Sequence, residues 1–543
     1  MKILLVRPPE FRDSAFAQMY PVYESVGLGY VAASLRQHGY DTEILDARVN
    51  CLDVEATAAK ILSIDADLIG FSLPSGILFP QASEIIKLVK QKKEDVHISM
   101  GGQYPTFAYN YILSTLPEVD SIVRFEGDLT LPELVAHLYE PSEWINIQGL
   151  AFRSGDKVVT THNRPLVEDL DTLPFPARDT LPKVVEKSSV AIVSTSRGCY
   201  AGCKFCSVRS FYRPSEGALW RARSPENVIE EIRQLKDKFN PDELWFADDN
   251  YFGPGNQGIK RAHDIFDLMQ RNGIAFDAID FSCRVNDVIR NRDIFELAKV
   301  VGLRTVFIGV ESGVQRILDI YQKGSTVEQN LEAIKILREI GADVKMEFIF
   351  FNPWMTYNEV KENLTFLKKA GIYDPYILSS GLTIHTYSPL WQDIESGKIP
   401  FEAGDYGKGA DFDADSYRPY KFLDERVKRL FNVVTNTFQL FEPIFHELWC
   451  LEDQVKKRRK SSIQVVQDHS VTIAESHASL TMLANTVALD LFEDALSWLE
   501  HESASEEQLL AKQEQFGQKI NNLNFVISSV VRDELKGISE DES

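Results

Sequence analysis

Short apolar runs and amphipathic stretches alternate through the first part of the chain. Lys2 to Val6, Glu43 to Asp46, Leu68 to Ser72, His97 to Met100 and Ser121 to Phe125 read as strands buried on both faces. Helical spacing separates them, notably in Gly27-Leu28-Gly29-Tyr30-Val31-Ala32-Ala33-Ser34-Leu35. Strict alternation of strand and helix predicts an α/β unit over residues 1–150, a doubly wound, Rossmann-like parallel sheet.

A second alternating series follows. Its strands read Val190 to Ser194, Glu243 to Ala247, Ala278 to Ser282, Thr305 to Gly309, Met346 to Phe350 and Leu382 to Thr386. Pro225 to Phe239, Gln257 to Asn272 and Val327 to Ile340 show helical spacing between them. Six such units with right-handed crossovers predict a partial (β/α)6 barrel of the TIM type over residues 189–400. Residues 151–188 read as a linker, because the prolines of Leu170-Asp171-Thr172-Leu173-Pro174-Phe175-Pro176 favour extended chain. Past residue 400 the pattern changes again. Phe401 to Arg418 has a loop composition, and helical segments near Glu425 to Arg459, Val471 to Leu499 and Glu506 to Leu535 predict a C-terminal helical domain over residues 401–543.

Charge narrows the partners. With 58 basic and 80 acidic residues the chain carries a net charge of −22, which repels a polyanion and disfavours nucleic acid. The basic run Lys456 to Lys460 reads as a solvated helix end, and the acidic tail Asp533 to Ser543 as a frayed terminus. No apolar run is long enough to span a bilayer and no signal peptide precedes the first strand, so a cytoplasmic enzyme is expected.

Cysteine supplies the chemistry. Of six cysteines, three fall in Arg197-Gly198-Cys199-Tyr200-Ala201-Gly202-Cys203-Lys204-Phe205-Cys206, while Cys51, Cys283 and Cys450 stand alone. A cubane [4Fe-4S] cluster takes four ligands, so Cys199, Cys203 and Cys206 would leave one iron open for a small molecule. A zinc site completed by a distant fourth ligand is the alternative, since no other Cys or His lies close by in sequence.

The triplet, following a strand and carrying an aromatic before its last cysteine, resembles the radical S-adenosylmethionine (SAM) superfamily. That resemblance implies that the amino and carboxylate groups of SAM chelate the open iron. It places Phe205 and Asp249 near the SAM site, with Asp249 towards the amino group, Ser282 and Arg284 near the carboxylate and Glu311 near the ribose. Arginine suits a carboxylate, and carboxylates accept from ammonium and hydroxyl groups. Phe350-Phe351-Asn352-Pro353-Trp354-Met355-Thr356 departs from the glycine-rich turn of many relatives at the fifth strand.

Small residues gather at the strand ends of the first unit: Pro8-Pro9, Ser72-Leu73-Pro74-Ser75-Gly76, Gly101-Gly102-Gln103-Tyr104-Pro105-Thr106 and Glu126-Gly127-Asp128. No Gly-x-Gly-x-x-Gly follows the first strand, which leaves a dinucleotide poorly supported. The order of these motifs upstream of the cysteines is similar to that of the cobalamin (B12)-dependent radical SAM enzymes. The resemblance implies cobalamin contacts from Pro9, Gly29, Ser72, Leu73, Ser75, Gly101, Gly102, Tyr104, Thr106, Glu126 and Gly127. Asp-x-His-x-x-Gly does not occur, and Tyr104 stands where many relatives have histidine, so cobalt without an imidazole beneath it is expected.

What the family implies is a methyltransferase with three cofactors, a [4Fe-4S] cluster, SAM and cobalamin, and no catalytic side chain beyond them. One SAM yields a 5′-deoxyadenosyl radical that takes a hydrogen from an unactivated carbon of a small molecule or peptide. Methylcobalamin then delivers the methyl group, a second SAM restores it, and a flavodoxin- or ferredoxin-type donor supplies electrons. The substrate is expected between sheet edge and barrel mouth, partly lined by the C-terminal helices. Ring-forming or rearrangement chemistry with the same motifs, and a non-catalytic cobalamin-binding protein, are the rival readings.

Overall fold

The computed structural model describes residues 1–10, 22–385, 387–406, 419–459, 464–501 and 505–541. The N-terminal unit is built on β1 (Lys2–Arg7), β2 (Asp41–Asp46), β3 (Leu68–Ser72), β4 (His97–Gly101), β5 (Ser121–Val123), β6 (Leu150–Ser154) and β7 (Lys157–Thr160). They lie in the order β2-β1-β3-β4-β5-β6-β7. β1 to β5 pair in parallel because each is an apolar run covered by helices on both faces; Leu4, Ile69, Ile98 and Ile122 are all buried. The order reverses between β1 and β3, which opens a crevice at their C-terminal ends.

Two expectations change here. Ser121 to Phe125 shortens to β5, because Phe125 takes a left-handed φ of 62° and turns the chain. The sheet also runs into the segment expected as linker: β6 pairs antiparallel with β5, and β7 with β6. Ser154-Gly155-Asp156-Lys157 makes the hairpin, with Gly155 at φ 59°.

The second sheet follows. β8 (Val190–Val193) leads to β9 (Ser196–Arg197), which pairs with β10 (Arg221–Ala222) as a two-residue antiparallel ladder. β11 (Glu243–Phe246), β12 (Ala278–Arg284), β13 (Leu303–Glu311) and β14 (Asp343–Phe348) then form a parallel sheet in the order β14-β13-β12-β11-β8. On β12, Ile279, Phe281 and Cys283 are buried against the helices, whereas Asp280, Ser282 and Arg284 take the opposite, barrel-inner face. In register with Arg284 lie Gly309 on β13 and Glu347 on β14, so these share one level of the barrel.

Where a sixth strand is expected, the described residues show a parallel bridge between Phe351 and Gly381. Phe351 N donates to Ser380 O at 2.9 Å and Leu382 N to Phe351 O at 2.8 Å. C-terminal helices cover this edge instead, with Phe492 packed on Phe350 and Phe351. These helices run Glu425–Phe438, Glu442–Arg459, Gln464–His501 and Glu506–Asp541. A 3-10 turn at Gln439–Phe441 splits the expected Glu425 to Arg459 segment, and the acidic tail is helical as far as Asp541 rather than frayed. Residues 407–418 of the expected loop, and the side chains of Lys456 to Lys460, lie outside the described residues. Among the described residues no helix is long and apolar enough to cross a membrane.

Arg164 to Pro182 does wrap one unit onto the other. Ala177 N donates to Gly29 O at 2.9 Å, Arg36 pairs with Asp179, and Arg178 bridges Glu24 and Glu231.

Candidate functional site

The three cysteines lie on the loop between β9 and the helix Ser207–Tyr212. Gly198 opens that loop at φ 80°, where a Cβ would overlap the Leu219 carbonyl oxygen, so only glycine fits. Gly198 N donates to Asp249 Oδ2 at 3.0 Å, Lys204 N to Tyr321 O at 2.9 Å, and Leu390 N to Lys204 O at 3.0 Å. The loop is therefore pinned to the ends of several barrel elements. Cys203 is buried, and Cys199 and Cys206 are half-buried. Burial pushes the Cys206 thiol up to about 12 and raises Cys199 as well. An iron cluster held here would supply the positive charge that keeps these sulfurs as thiolates. Among the described residues no three His, Cys, Asp or Glu side chains converge as a single ion requires.

The residues expected around SAM gather on the same side. Arg284 Nη1 lies 3.3 Å from Cys203 Sγ, and its Nη2 donates to Lys323 O. Asp249 lines the cavity described below; burial lifts its carboxyl to about 6, against the opposing bond from Gly198 N. Asp248 beside it is a structural pin, accepting from Thr195 and Ser196. Ser282 sits on the inner face one level below Arg284, and its carbonyl accepts from Tyr251 N at 3.0 Å. Phe205 packs edge-on to Tyr321 at 5.0 Å. Glu311, at φ 66°, is buried and paired with Lys323 at 2.7 Å. Gly309 makes room for that pair, since a Cβ there would overlap Lys323 Nζ. Trp354 and Met355 are buried packing residues, the indole donating to Pro400 O at 2.6 Å.

A cavity of about 540 Å³ lies between the two sheets. From the N-terminal unit it takes Ser72, Gly101, Gly102, Glu126 and Gly127 of the expected corrin contacts, and from the barrel Ile192, Ser194, Arg197, Ala247 and Asp249. Gly102, at φ 104° with Leu73 O 2.7 Å from where its Cβ would be, brings bare backbone to the rim. The wall is mainly apolar (Leu5, Leu28, Phe71, Met100, Val123, Leu131), and among the described residues lining it there is no histidine. A large flat ligand fits this chemistry, with glycine backbone on one side and apolar side chains on the other.

Several expected contacts have other work. Gly29 admits the connector: its Cβ would sit 2.7 Å from Ala177 O. Tyr104 is buried against Phe79 and Gly76, and Thr106 accepts from Phe125 N at 2.9 Å. Pro9, Leu73 and Ser75 are likewise not among the residues lining the cavity. Glu126 takes two bonds from Arg221 at 3.0 and 2.9 Å and one from Arg197 at 3.2 Å. Asp128, unassigned from sequence, is forked by Arg197 at 2.8 and 3.0 Å. Burial alone would raise the Asp128 carboxyl, but Arg197 holds it below the usual range. Among the described residues, none that lines this cavity comes from beyond Asp249; the C-terminal helices, expected at the substrate pocket, do not reach this cavity.

Sequence reading missed Lys323, Glu347 and the Arg197–Arg221 pair. Glu347 is exposed at the open inner face of β14, where desolvation by the surrounding wall and then the charge of Glu311 raise its carboxyl. Only the alternation along β14 could have signalled it.

Residues 14–135 match the family model described as B12 binding domain, and residues 193–370 that of the Radical SAM superfamily. The chain is 33% identical over 396 residues to the uncharacterized methyltransferase PH0819 of Pyrococcus horikoshii, covering 72% of this chain and 83% of that protein. It is 27% identical over 472 residues to the anaerobic magnesium-protoporphyrin IX monomethyl ester cyclase of Cereibacter sphaeroides, covering 83% of this chain and 72% of that protein. Its fold matches OxsB, a cobalamin-dependent S-adenosylmethionine radical enzyme solved with aqua-cobalamin and S-adenosylmethionine bound. The TM-score is 0.74 at 18% identity, covering 99% of this chain and 80% of that one.

Proposed function

The chain belongs to the family in which a B12 binding domain precedes a radical SAM domain, and on that premise we propose that it is a cobalamin-dependent radical SAM methyltransferase acting on an unactivated carbon of a small molecule or peptide. The observation that carries this reading is the shared cavity. One wall is the glycine-lined edge of the N-terminal sheet; the other includes Arg197, two residues before Cys199, and Asp249, which binds the backbone of Gly198. A ligand held there lies beside the cysteine loop.

Bound in these sites, the cluster with SAM supplies hydrogen-atom abstraction and cobalamin supplies the methyl group. The chain's part is placement. Cys199, Cys203 and Cys206 hold the cluster. Arg284 presents its guanidinium beside Cys203, where a SAM carboxylate on the open iron would meet it. Asp249 accepts from the SAM ammonium, and that positive charge draws its carboxyl back towards the ionised form. Glu311 and Glu347 offer carboxylate oxygens to ribose or substrate hydroxyls from the next two strands. The apolar wall from Leu5 to Leu131 excludes water from the cobalamin side. Electrons come from a flavodoxin- or ferredoxin-type donor in the cytoplasm, and the substrate is small enough to reach the barrel mouth. We place the functional boundaries at residues 1–160, where the β6–β7 hairpin completes the first sheet, then 161–188 for the connector, 189–400 and 401–543.

A ring-forming reaction is the second reading, favoured by the alignment with the cyclase, which extends over 472 residues. Product analysis separates the two. Reconstituted protein given SAM and a reductant forms 5′-deoxyadenosine together with S-adenosylhomocysteine if it is a methyltransferase. 5′-Deoxyadenosine alone supports ring formation, and neither product refutes both.

A further inference from the structure

Resting on the reading above, we propose that Glu126, Asp128, Arg197 and Arg221 are positioning residues that fix the distance between the cobalamin and cluster sites. The two arginines are register partners on β9 and β10, so their guanidinium groups leave the ladder side by side. Both meet the chain after β5, Glu126 at the cap and Asp128 in the first turn of the helix Gly127–Ala136. Asp128 is forked by Arg197, Glu126 by Arg221, and Glu126 also reaches Arg197 at 3.2 Å. Two cations face two anions, and the side chains are 14%, 2%, 9% and 5% exposed for Arg197, Arg221, Glu126 and Asp128. Forked arginine–carboxylate bonds fix direction as well as distance. Tyr30 under Arg197 and Tyr212 under Arg221, at 5.0 and 5.3 Å, close the remaining faces. The connector joins in, with Val167 N donating to Glu126 at 3.1 Å and Val167 O accepting from Arg221 at 2.8 Å.

Location separates this cluster from an ordinary domain contact. Glu126, Asp128 and Arg197 form part of the cavity wall. One residue, Gly198, separates Arg197 from Cys199, and its backbone is fixed by a left-handed φ and by Asp249. Movement of the N-terminal sheet edge is thus transmitted through Arg197 to the first cysteine with little slack. A buried four-charge cluster is a poor way to add stability compared with apolar packing, and a better way to specify one relative placement.

The test uses the full chain reconstituted with cluster and cobalamin. Relaxation-enhanced pulsed EPR between cob(II)alamin and the reduced cluster reads the distance and its spread, without substrate. Wild type should give one narrow distance. Asp128→Asn and Glu126→Gln should load both cofactors yet broaden the distribution, and Arg221→Lys, which keeps the charge but loses the fork, provides a milder variant should either fail to fold. Asp179→Asn, which breaks the exposed interdomain pair with Arg36, should leave it narrow. Unchanged width in loaded Asp128→Asn and Glu126→Gln, or equal broadening in Asp179→Asn, overturns the positioning role alone. Wild type that takes up no cobalamin overturns this role and the functional reading together.

Discussion

Glu311 has two claims on it, and substitution separates them. We propose its carboxylate as the partner of the SAM ribose, yet it also pairs with Lys323 at 2.7 Å, both side chains being under a tenth exposed (6% and 7%). Glu311→Gln removes the negative charge and leaves the ammonium buried beside Cys203 and Arg284. Breaking one side of a buried pair costs about 3–5 kcal/mol, so the variant should unfold at clearly lower temperature. Replacing both partners, as Glu311→Gln with Lys323→Met, removes the lone charge and should restore most of that loss. SAM affinity behaves differently. A hydrogen bond to a charged group contributes about 1.5–3 kcal/mol, so losing the ribose contact should weaken SAM roughly 10- to 150-fold in the single and the double variant alike. Thermal unfolding and equilibrium dialysis with cluster-loaded protein measure the two effects. Wild-type SAM affinity in the double variant would refute the ribose assignment and leave Glu311 as the partner of Lys323 only.

Alanine at Cys199, Cys203 or Cys206 should abolish cluster absorbance and SAM cleavage, whereas alanine at Cys51 or Cys450 should preserve both; full iron loading in Cys203→Ala would contradict the assignment. Gly198→Ala meets the Leu219 carbonyl at a left-handed φ that itself costs about 1–2 kcal/mol, so the cluster should be stripped faster by a chelator than in wild type. His97, bonded to Ser121 and packed edge-on to Trp144, is lowered by burial from 6.5 to about 4. The unfolded chain then binds a proton the folded chain refuses between those values. Its contribution is present above pH 6.5 and is lost as pH falls towards 4, by up to about 3 kcal/mol, and acid unfolding of His97→Gln should be correspondingly flatter. In cob(II)alamin EPR, the cavity without histidine predicts cobalt lines unsplit by an axial nitrogen; triplets would contradict it.

Local pattern made most of the fold legible. The five parallel strands of the first sheet and five of the barrel are apolar runs that need no partner to be recognised, and the cysteine loop is a contiguous motif. Composition misled at the first boundary, where the prolines near residue 174 drew the linker back over β6 and β7 although Gly155-Asp156 marks a hairpin turn. Long-range partners were the other blind spot. Glu126 stands among small residues at a strand end, as a ligand contact would, but its arginines lie 71 and 95 residues away. Gly29 admits a connector 148 residues on, and Lys323 follows no motif at all. Such pairings depend on how two sheets face each other, which no one-dimensional period encodes.

The central claim is that a methyl group passes from SAM to a cobalamin held beside the cysteine loop, and this can be measured before the substrate is known. Reconstituted protein is given SAM carrying a trideuterated methyl group with a reductant, and the cobalamin is extracted and weighed by mass spectrometry. The account predicts cobalamin bearing a CD3 group. Cobalamin that is bound but unlabelled, with the deuterium retained in SAM, would contradict it.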